Sequence, residues 1–557
     1  AIIERRFEEA EDRIVDLEPD YPQDYTPELL RGLLEMARGE AALKSADRER
    51  AAETYRRAQS RFEAVTEIGR SDPRPRQLAC RAARGVLRAT MDRGGPIPES
   101  IEALSPGCVE VVAVDPGNPE SHATQAAAWN TLAEAHDGVN AREAARRAIE
   151  KGIAAVDTAL ARNPQHAEAL EQKARLHRRM AGLAPEPWPE AQAQFDAGAE
   201  AAERLRMTQP ESTVGQLLTA VIERDRARHF ELFSQPEAAR QALARAQTAF
   251  DDLLERTPDS IVALNGAALN AVFQFYEYRH NDTERAVAWM ERAIALQDRA
   301  LAQDPDNVDL LFDQGANYGD LWFYRLLTPE AKTETSREAL FERAMTLLGR
   351  IRELAPQQPS GYTQPLMILL SGADHQIDQG LNASASLDRA MSLLRAAERA
   401  GVTLERNIPA WLQQARVRNV LAQGGNAAPV FADAFKALRE TEVDESDRAF
   451  QHTLLLELTG PYQRWLRENQ RPADPERFEH AHAALEALLA NDRRPPMALC
   501  GGALVFLEET LAGLADDRTT LERSEALFEE CLEANPDFQN RYGPDLEQVR
   551  ALLAEVA

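Results

Sequence analysis

Small and apolar residues recur at fixed offsets through most of the chain. Counted back from a proline, a small residue stands at twelve and two mostly apolar ones at eight and five: Ala246, Phe250 and Leu253 before Pro258, and Ala293, Gln297 and Ala300 before Pro305. Ala344, Leu348 and Ile351 repeat this before Pro356, as do Ala390, Leu394 and Ala397 before Val402, and Ser524, Phe528 and Cys531 before Pro536. Steps of four and three place such residues on one face of a helix. After the proline a large residue comes at six, a small one at ten and often a large one at thirteen, as in Leu170, Ala174 and His177, in Leu264, Ala268 and Ala271, or in Leu311, Gly315 and Tyr318. The pattern predicts a helix that ends at each proline, which has no N–H to continue it, and a second helix that starts a few residues later.

The joint at Asp304-Pro305-Asp306-Asn307 is the clearest of a series at Pro116, Pro164, Pro210, Pro258, Pro305 and Pro356, with gaps of 48, 46, 48, 47 and 51 residues. The phase continues without proline through Val402, Glu442 and Asp492, and proline returns at Pro536. Fainter joints fall at Pro19 and Pro73. Turn-rich stretches at 94–98, 184–189 and 424–429 read as loops between helices. From 424 to Pro472 the period slips to 40 and then 50, which predicts a division into degenerate repeats over 1–100, regular repeats over 101–423, and a C-terminal block over 424–557 capped by a helix from about Leu546 to Val556.

Paired helices that meet through small residues and end in a proline resemble the tetratricopeptide repeat, from about residue 100 to the C-terminus and more weakly before it. The resemblance implies an all-α helical-repeat solenoid, a right-handed superhelix of antiparallel helix pairs whose first helices face the concave side. The period here is nearer ~47 than the family's ~34, which adds roughly three helical turns per repeat. Long repeats with segments such as Ser71-Asp72-Pro73-Arg74-Pro75 are also similar to the regions that follow the kinase domain in bacterial serine/threonine kinases. The opening Ile3-Glu4-Arg5-Arg6-Phe7 is similar to the charged helix after their membrane anchor, and the expectation is that a longer protein precedes Ala1. No kinase motif is present.

Composition agrees with helices: aromatics are 6%, and strand-like runs of Val, Ile and Thr are nearly absent. The 91 acidic and 64 basic side chains give a formal charge of -27, which argues against nucleic acid as a partner and fits either solvated helix faces or a groove tuned to a basic ligand. No apolar run reaches the ~18 residues of a membrane span. The expected material is soluble, cytoplasmic or, with an anchor upstream, periplasmic. Cys80, Cys108, Cys500 and Cys531 lie far apart without metal spacing and read as small core residues, because disulfides between distant repeats need approaches a solenoid rarely offers.

Searching for chemistry yields no nucleophile elbow, phosphate loop, dinucleotide turn or zinc-helix motif, so the reading is a non-enzyme with no cofactor and no metal site. His480 and His482 lie on different helix faces, and the acidic stretch 440–447 lacks the glycine and spacing of a calcium loop. One region stands out. Asn265, Asn270, Gln274, Tyr276 and Tyr278 lie on one first helix, and Asn317, Tyr318, Asp320, Trp322, Phe323 and Tyr324 on the next. These side chains either line a groove for a protein or peptide ligand, with Asn270, Gln274, Tyr278, Asn317, Tyr318, Asp320 and Trp322 as its residues, or supply the bulk that long helices need where they pack. Asn270, Asn317 and Asp320 are expected to be the accessible members. The functional expectation is a binding or sensing scaffold; the alternative is a self-assembling homo-oligomer in which repeat arrays stack end to end.

Overall fold

The computed structural model describes residues 2–17, 24–44, 47–91, 96–139, 141–183, 188–232, 235–333, 335–404, 408–440, 448–490, 495–515, 517–535 and 538–556. Ala1, Pro19, Gly94, Gly95, residues 184–187, residues 441–447 with Glu442, Asp492 and Pro536 lie outside them. The described residues form helices joined by turns, with no strand, and none of these helices is long and apolar enough to cross a membrane.

The chain divides into two compact units, 1–347 and 348–557, within one helix, α16 (Arg337–Leu354). In the first unit α1 (Ile2–Leu17) precedes α2 (Thr26–Lys44) paired with α3 (Arg48–Ile68), and α4 (Pro73–Thr90) paired with α5 (Ile101–Leu104) and α6 (Gly107–Val114). The pairs α7 (Pro119–Gly138) with α8 (Arg142–Arg162), α9 (Ala167–Leu183) with α10 (Trp188–Thr208), α11 (Val214–Leu232) with α12 (Pro236–Arg256), and α13 (Ile261–Tyr278) with α14 (Thr283–Gln303) follow, and then α15 (Val308–Leu327). The second unit holds α17 (Ser360–Asp378) with α18 (Ser384–Arg399), α19 (Ile408–Ala422) with α20 (Ala428–Glu440), α21 (Arg448–Glu468) with α22 (Pro475–Leu489), α23 (Pro496–Leu511) with α24 (Asp517–Ala534), and α25 (Gln539–Val556). Each unit is an all-α array of tetratricopeptide-like helix pairs. The expected loops at 184–189 and 424–429 end earlier than predicted, because Pro189 and Pro429 sit in the first turns of α10 and α20, where the missing N–H costs nothing. The last helix begins at Gln539, with Pro544 inside it.

One backbone bond defines the joints. At Asp115, Asn163, Gln209, Thr257, Asp304 and Ala355 the carbonyl before the proline accepts the N–H three residues on, at 2.9–3.3 Å, so each anchor proline occupies the second place of a turn that its fixed φ favours. The following helix then starts with a side-chain cap at several joints: Asn118 accepts from Glu120 N, Ser260 from Ala263 N and Asn307 from Leu310 N. Arginines from the next second helix reach back to the joint, with Arg204 donating to the Pro164 carbonyl, Arg256 to Pro210 and Arg299 to Pro258, all at 2.7–2.8 Å. In the second unit glycine ends several helices, three of them first helices within a pair and one, α18, a second helix. Gly380, Gly401, Gly424 and Gly513 adopt positive φ behind α17, α18, α19 and α23, with the paired backbone bonds of a left-handed helix stop.

The repeating offsets are the core. Ala246, Ala293, Ala344, Ala390 and Ser524 are fully withdrawn from solvent, as are Phe250, Leu348 and Phe528, and Gly315 is buried on α15. Glycine lets helices meet where a side chain would collide: a Cβ on Gly266 would stand 2.6 Å from the Phe250 ring, and one on Gly85 2.5 Å from that of Tyr55. In the second unit a buried ion network ties α25 inward. The Glu457 carboxylate accepts from Arg541 at 2.6 Å and Tyr542 at 2.5 Å, while Glu508 takes Arg464 and Arg467, and Arg464 also holds Asp545.

The cysteines depart from expectation. Cys80 pairs with Cys108 and Cys500 with Cys531, with Cα–Cα distances of 4.8 and 5.6 Å, and no described cysteine is free. The separations of 28 and 31 residues carry each cysteine to a partner on a helix packed beside its own (α4 to α6, α23 to α24) rather than to a distant repeat. Closing a loop of that length stabilises by ~3 to 4 kcal/mol in the chain-entropy account. Replacing both Cys500 and Cys531 by serine is expected to lower stability by about that amount, and reductant should lower the melting temperature of the parent chain; a melt indifferent to reductant would show the thiols unpaired.

Candidate functional site

First helices bring the polar residues of the first unit together, but not all of them onto one accessible face. Asn270, on α13, is 0% exposed and donates to Gln247 Oε1 at 3.0 Å on α12. Asn317, on α15 and 4% exposed, donates to Gln297 Oε1 at 2.6 Å, and Gln297 in turn donates to Asn265. Gln274 is buried as well. The expectation that Asn270 and Asn317 stay accessible therefore gives way to burial: an amide withdrawn from water between two packed helices is held by the amide opposite, because leaving it unpaired would cost more than the bond contributes.

The aromatic members bridge neighbouring helices. Tyr276 donates to Asp320 at 2.5 Å, joining α13 to α15, and burial together with this carboxylate holds the phenol well above its ordinary pKa. Burial also raises Asp320, against the pull of the Tyr276 hydrogen bond. Tyr278 lies under the Arg285 guanidinium, 4.0 Å from it, and Trp322 packs its ring against Phe341 with centroids 5.2 Å apart. Tyr318 is half-buried, its pKa raised by burial and by Asp298. Tyr318, Asp320 and Trp322 are each partly exposed.

A group that residue type alone does not single out sits on the same helices. Asp313, one turn before Asn317 on α15, is partly exposed, and partial burial pushes its pKa up to about 6 against the pull of Asn265 and the more distant Arg224, with Asp309 adding to the rise. Among the described residues no cation reaches it at ion-pair distance. The signal available in the sequence was its place on the polar side of the helix, seven residues before Asp320.

The first unit also holds an arginine-lined hollow of about 840 Å³ between α2, α4, α7 and α9, which the reading of the sequence missed altogether. Arg74, Arg81, Arg84 and Arg88 stand on one face of α4 at steps of seven, three and four, a helical spacing visible in the sequence.

Neither a protein-family profile nor a curated protein matches the chain. Solved structures that it is similar to include a human IFIT1 dimer with m7Gppp-AAAA (12% identity, TM-score 0.36, covering 95% of this chain and 94% of that one). The APC/C hetero-tetramer Cut9-Hcn1 matches at 13% identity and TM-score 0.30, over 100% of this chain and 94% of that one, and Naa15/Naa10 bound to HypK-THB at 12% and 0.25, over 100% and 98%. Likenesses this distant leave the functional question to the residues of the chain itself.

Two substitutions test the geometry. Asn270→Ala strips the donor from Gln247 and is expected to cost ~1 to 3 kcal/mol, read as a lower melting temperature; an unchanged melt would place Asn270 on the surface. Asp313, with a folded pKa above its unfolded value, contributes most when protonated at low pH, and this contribution is lost as pH rises through about 6. Asp313→Asn should therefore stabilise the chain by roughly 2 to 3 kcal/mol at pH 7 and hardly at all at pH 4, measured by denaturant unfolding at both.

Proposed function

We propose that the chain is a non-catalytic scaffold that holds a protein or peptide on the first-helix face of α11, α13 and α15. The observation that supports this is Asp313. A partly buried carboxylate with no cation at ion-pair distance opposes folding near neutral pH, and a bound lysine, arginine or backbone N–H would offset that cost. The partly exposed Tyr318, Asp320 and Trp322 lie along the same helix and offer hydrogen-bonding and aromatic contact for the rest of such a segment. Asn270, Gln274 and Asn317 then serve by fixing α13 and α15 in place.

Two further elements complete the reading. The disulfides favour an oxidising compartment such as the periplasm over the cytoplasm. The similarity of the long repeats to regions that follow bacterial kinase domains supports a role as the regulatory part of a larger signalling protein.

Selection from a random displayed-peptide library tests the site. Peptides carrying lysine or arginine should be enriched, should bind at least tenfold more weakly to Asp313→Asn, and should weaken on the parent chain as pH falls below about 6 and Asp313 becomes neutral. Enriched peptides that are indifferent to both Asp313→Asn and pH would reject the assignment.

A further inference from the structure

In a chain of net charge -27 the hollow between α2, α4, α7 and α9 gathers six cations: Lys44, Arg74, Arg81, Arg84, Arg88 and Arg175. Four carboxylates share the lining: two pair with arginines, one meets a histidine and one only an amide. Glu40 lies 3.6 Å from Arg81, Glu171 takes Arg175 at 2.8 Å, Glu120 meets His166 at 3.1 Å, and Glu168 accepts from Gln172 at 3.2 Å. Arg74 is held by Asp72 outside the hollow. Lys44, Arg84 and Arg88 remain, with no carboxylate at ion-pair distance among the described residues.

Arg84 is the centre of this set. Its guanidinium is drawn into the cavity, where it donates through Nε to Thr131 at 3.1 Å and leaves its two terminal nitrogens for another acceptor. Burial, and Arg88 beside it, pull its pKa down to about 10 against the opposing pull of Glu168. A planar fork of N–H donors in a half-enclosed site matches a carboxylate or phosphate in two-point contact.

The shape and the remaining lining distinguish these ligands. From Arg74 to Arg88 the stripe on α4 runs about 21 Å at the helical rise, the length of roughly six residues of extended chain. Gln77, partly exposed in the lining, can meet a backbone amide along such a segment. An extended peptide turns alternate side chains to opposite sides of a neutral backbone and can aim its carboxylates at α4, whereas every unit of a phosphate chain would carry charge past Glu40, Glu120, Glu168 and Glu171. At physiological salt the screening length is ~8 Å, so a ligand inside the hollow responds to this local set and not to the charge of the whole chain.

We infer that this hollow is a second binding site, distinct from the α11–α15 face, and that it takes an extended acidic peptide segment whose side-chain carboxylates pair with Arg84, Arg88 and Lys44. The site stands apart from Asp313, so loss of one assignment leaves the other intact.

Fluorescence anisotropy with a labelled, C-terminally amidated hexaglutamate on the full chain tests it. Saturable binding is expected, weakened at least tenfold by Arg84→Gln and by Arg88→Gln and unchanged by Arg292→Gln on α14. Arg88 is exposed, so its variant keeps the fold in reserve should Arg84→Gln fail to fold. Inorganic tripolyphosphate and a hexamer of RNA serve as competitors. Displacement by either at lower concentration than unlabelled hexaglutamate would overturn the peptide in favour of a phosphate ligand, and absent or Arg-independent hexaglutamate binding would overturn the site.

Discussion

The turn at each proline sets the geometry of the first unit. A carbonyl that would otherwise be orphaned at the end of a second helix accepts the N–H three residues later, and proline holds the φ that makes this bond. The residues ten places on, Ala126, Ala174, Ala220, Ala268 and Gly315, are all buried. Close approach on first helices shows at Gly85 and Gly266, where a Cβ would meet the Tyr55 and Phe250 rings. In the second unit a glycine stop replaces this turn behind α18, other glycine stops close α17, α19 and α23 within their pairs, and helix length varies: α20 spans 13 residues where α21 spans 21.

Between the helices of the first unit runs a thread of buried amides. Gln172 answers Asn130, Gln247 answers Asn270, and Gln297 links Asn265 to Asn317. Such pairs contribute modestly to stability, but each exists in one register only, since a slip would strand a polar group in apolar surroundings. The charged groups of the proposed sites along the first helices are sorted by sign: Arg84 and Arg88 on α4 without an ion-pair partner, and Asp313 on α15 likewise, among the described residues.

Fold and site differ in how far they could be read beforehand. The offsets of twelve, eight and five were legible because a helix period and a small residue admit few other meanings, and Ala246, Ala293 and Ala344 are all core. Asn270 and Asn317 were misjudged as accessible because residue type cannot tell which way an amide turns. One signal was available: Gln297 occupies the slot held elsewhere by Phe250 and Leu348, and a polar residue in an apolar slot announces a buried partner. The cysteine pairing was hidden by judging separation along the chain, when antiparallel partners return to contact after about thirty residues. Asp313 and Arg84 were missed because what marks them is the counter-charge each one lacks, and a sequence does not display absences in space.

The clasp on Glu457 alters how the second unit can come apart. In a linear array each repeat touches only its neighbours, and an end can fray without consequence for the rest. Here Arg541 and Tyr542 return across 84 and 85 residues to one carboxylate that is 1% exposed, and Tyr542 is drawn so far inside that burial holds its phenol well above its ordinary pKa. Peeling α25 away would leave that charge in the interior with both strong partners gone, so the last helix cannot open cheaply. The tail of the chain acts as a latch, and a row of semi-independent pieces becomes a body that opens as a whole or not at all.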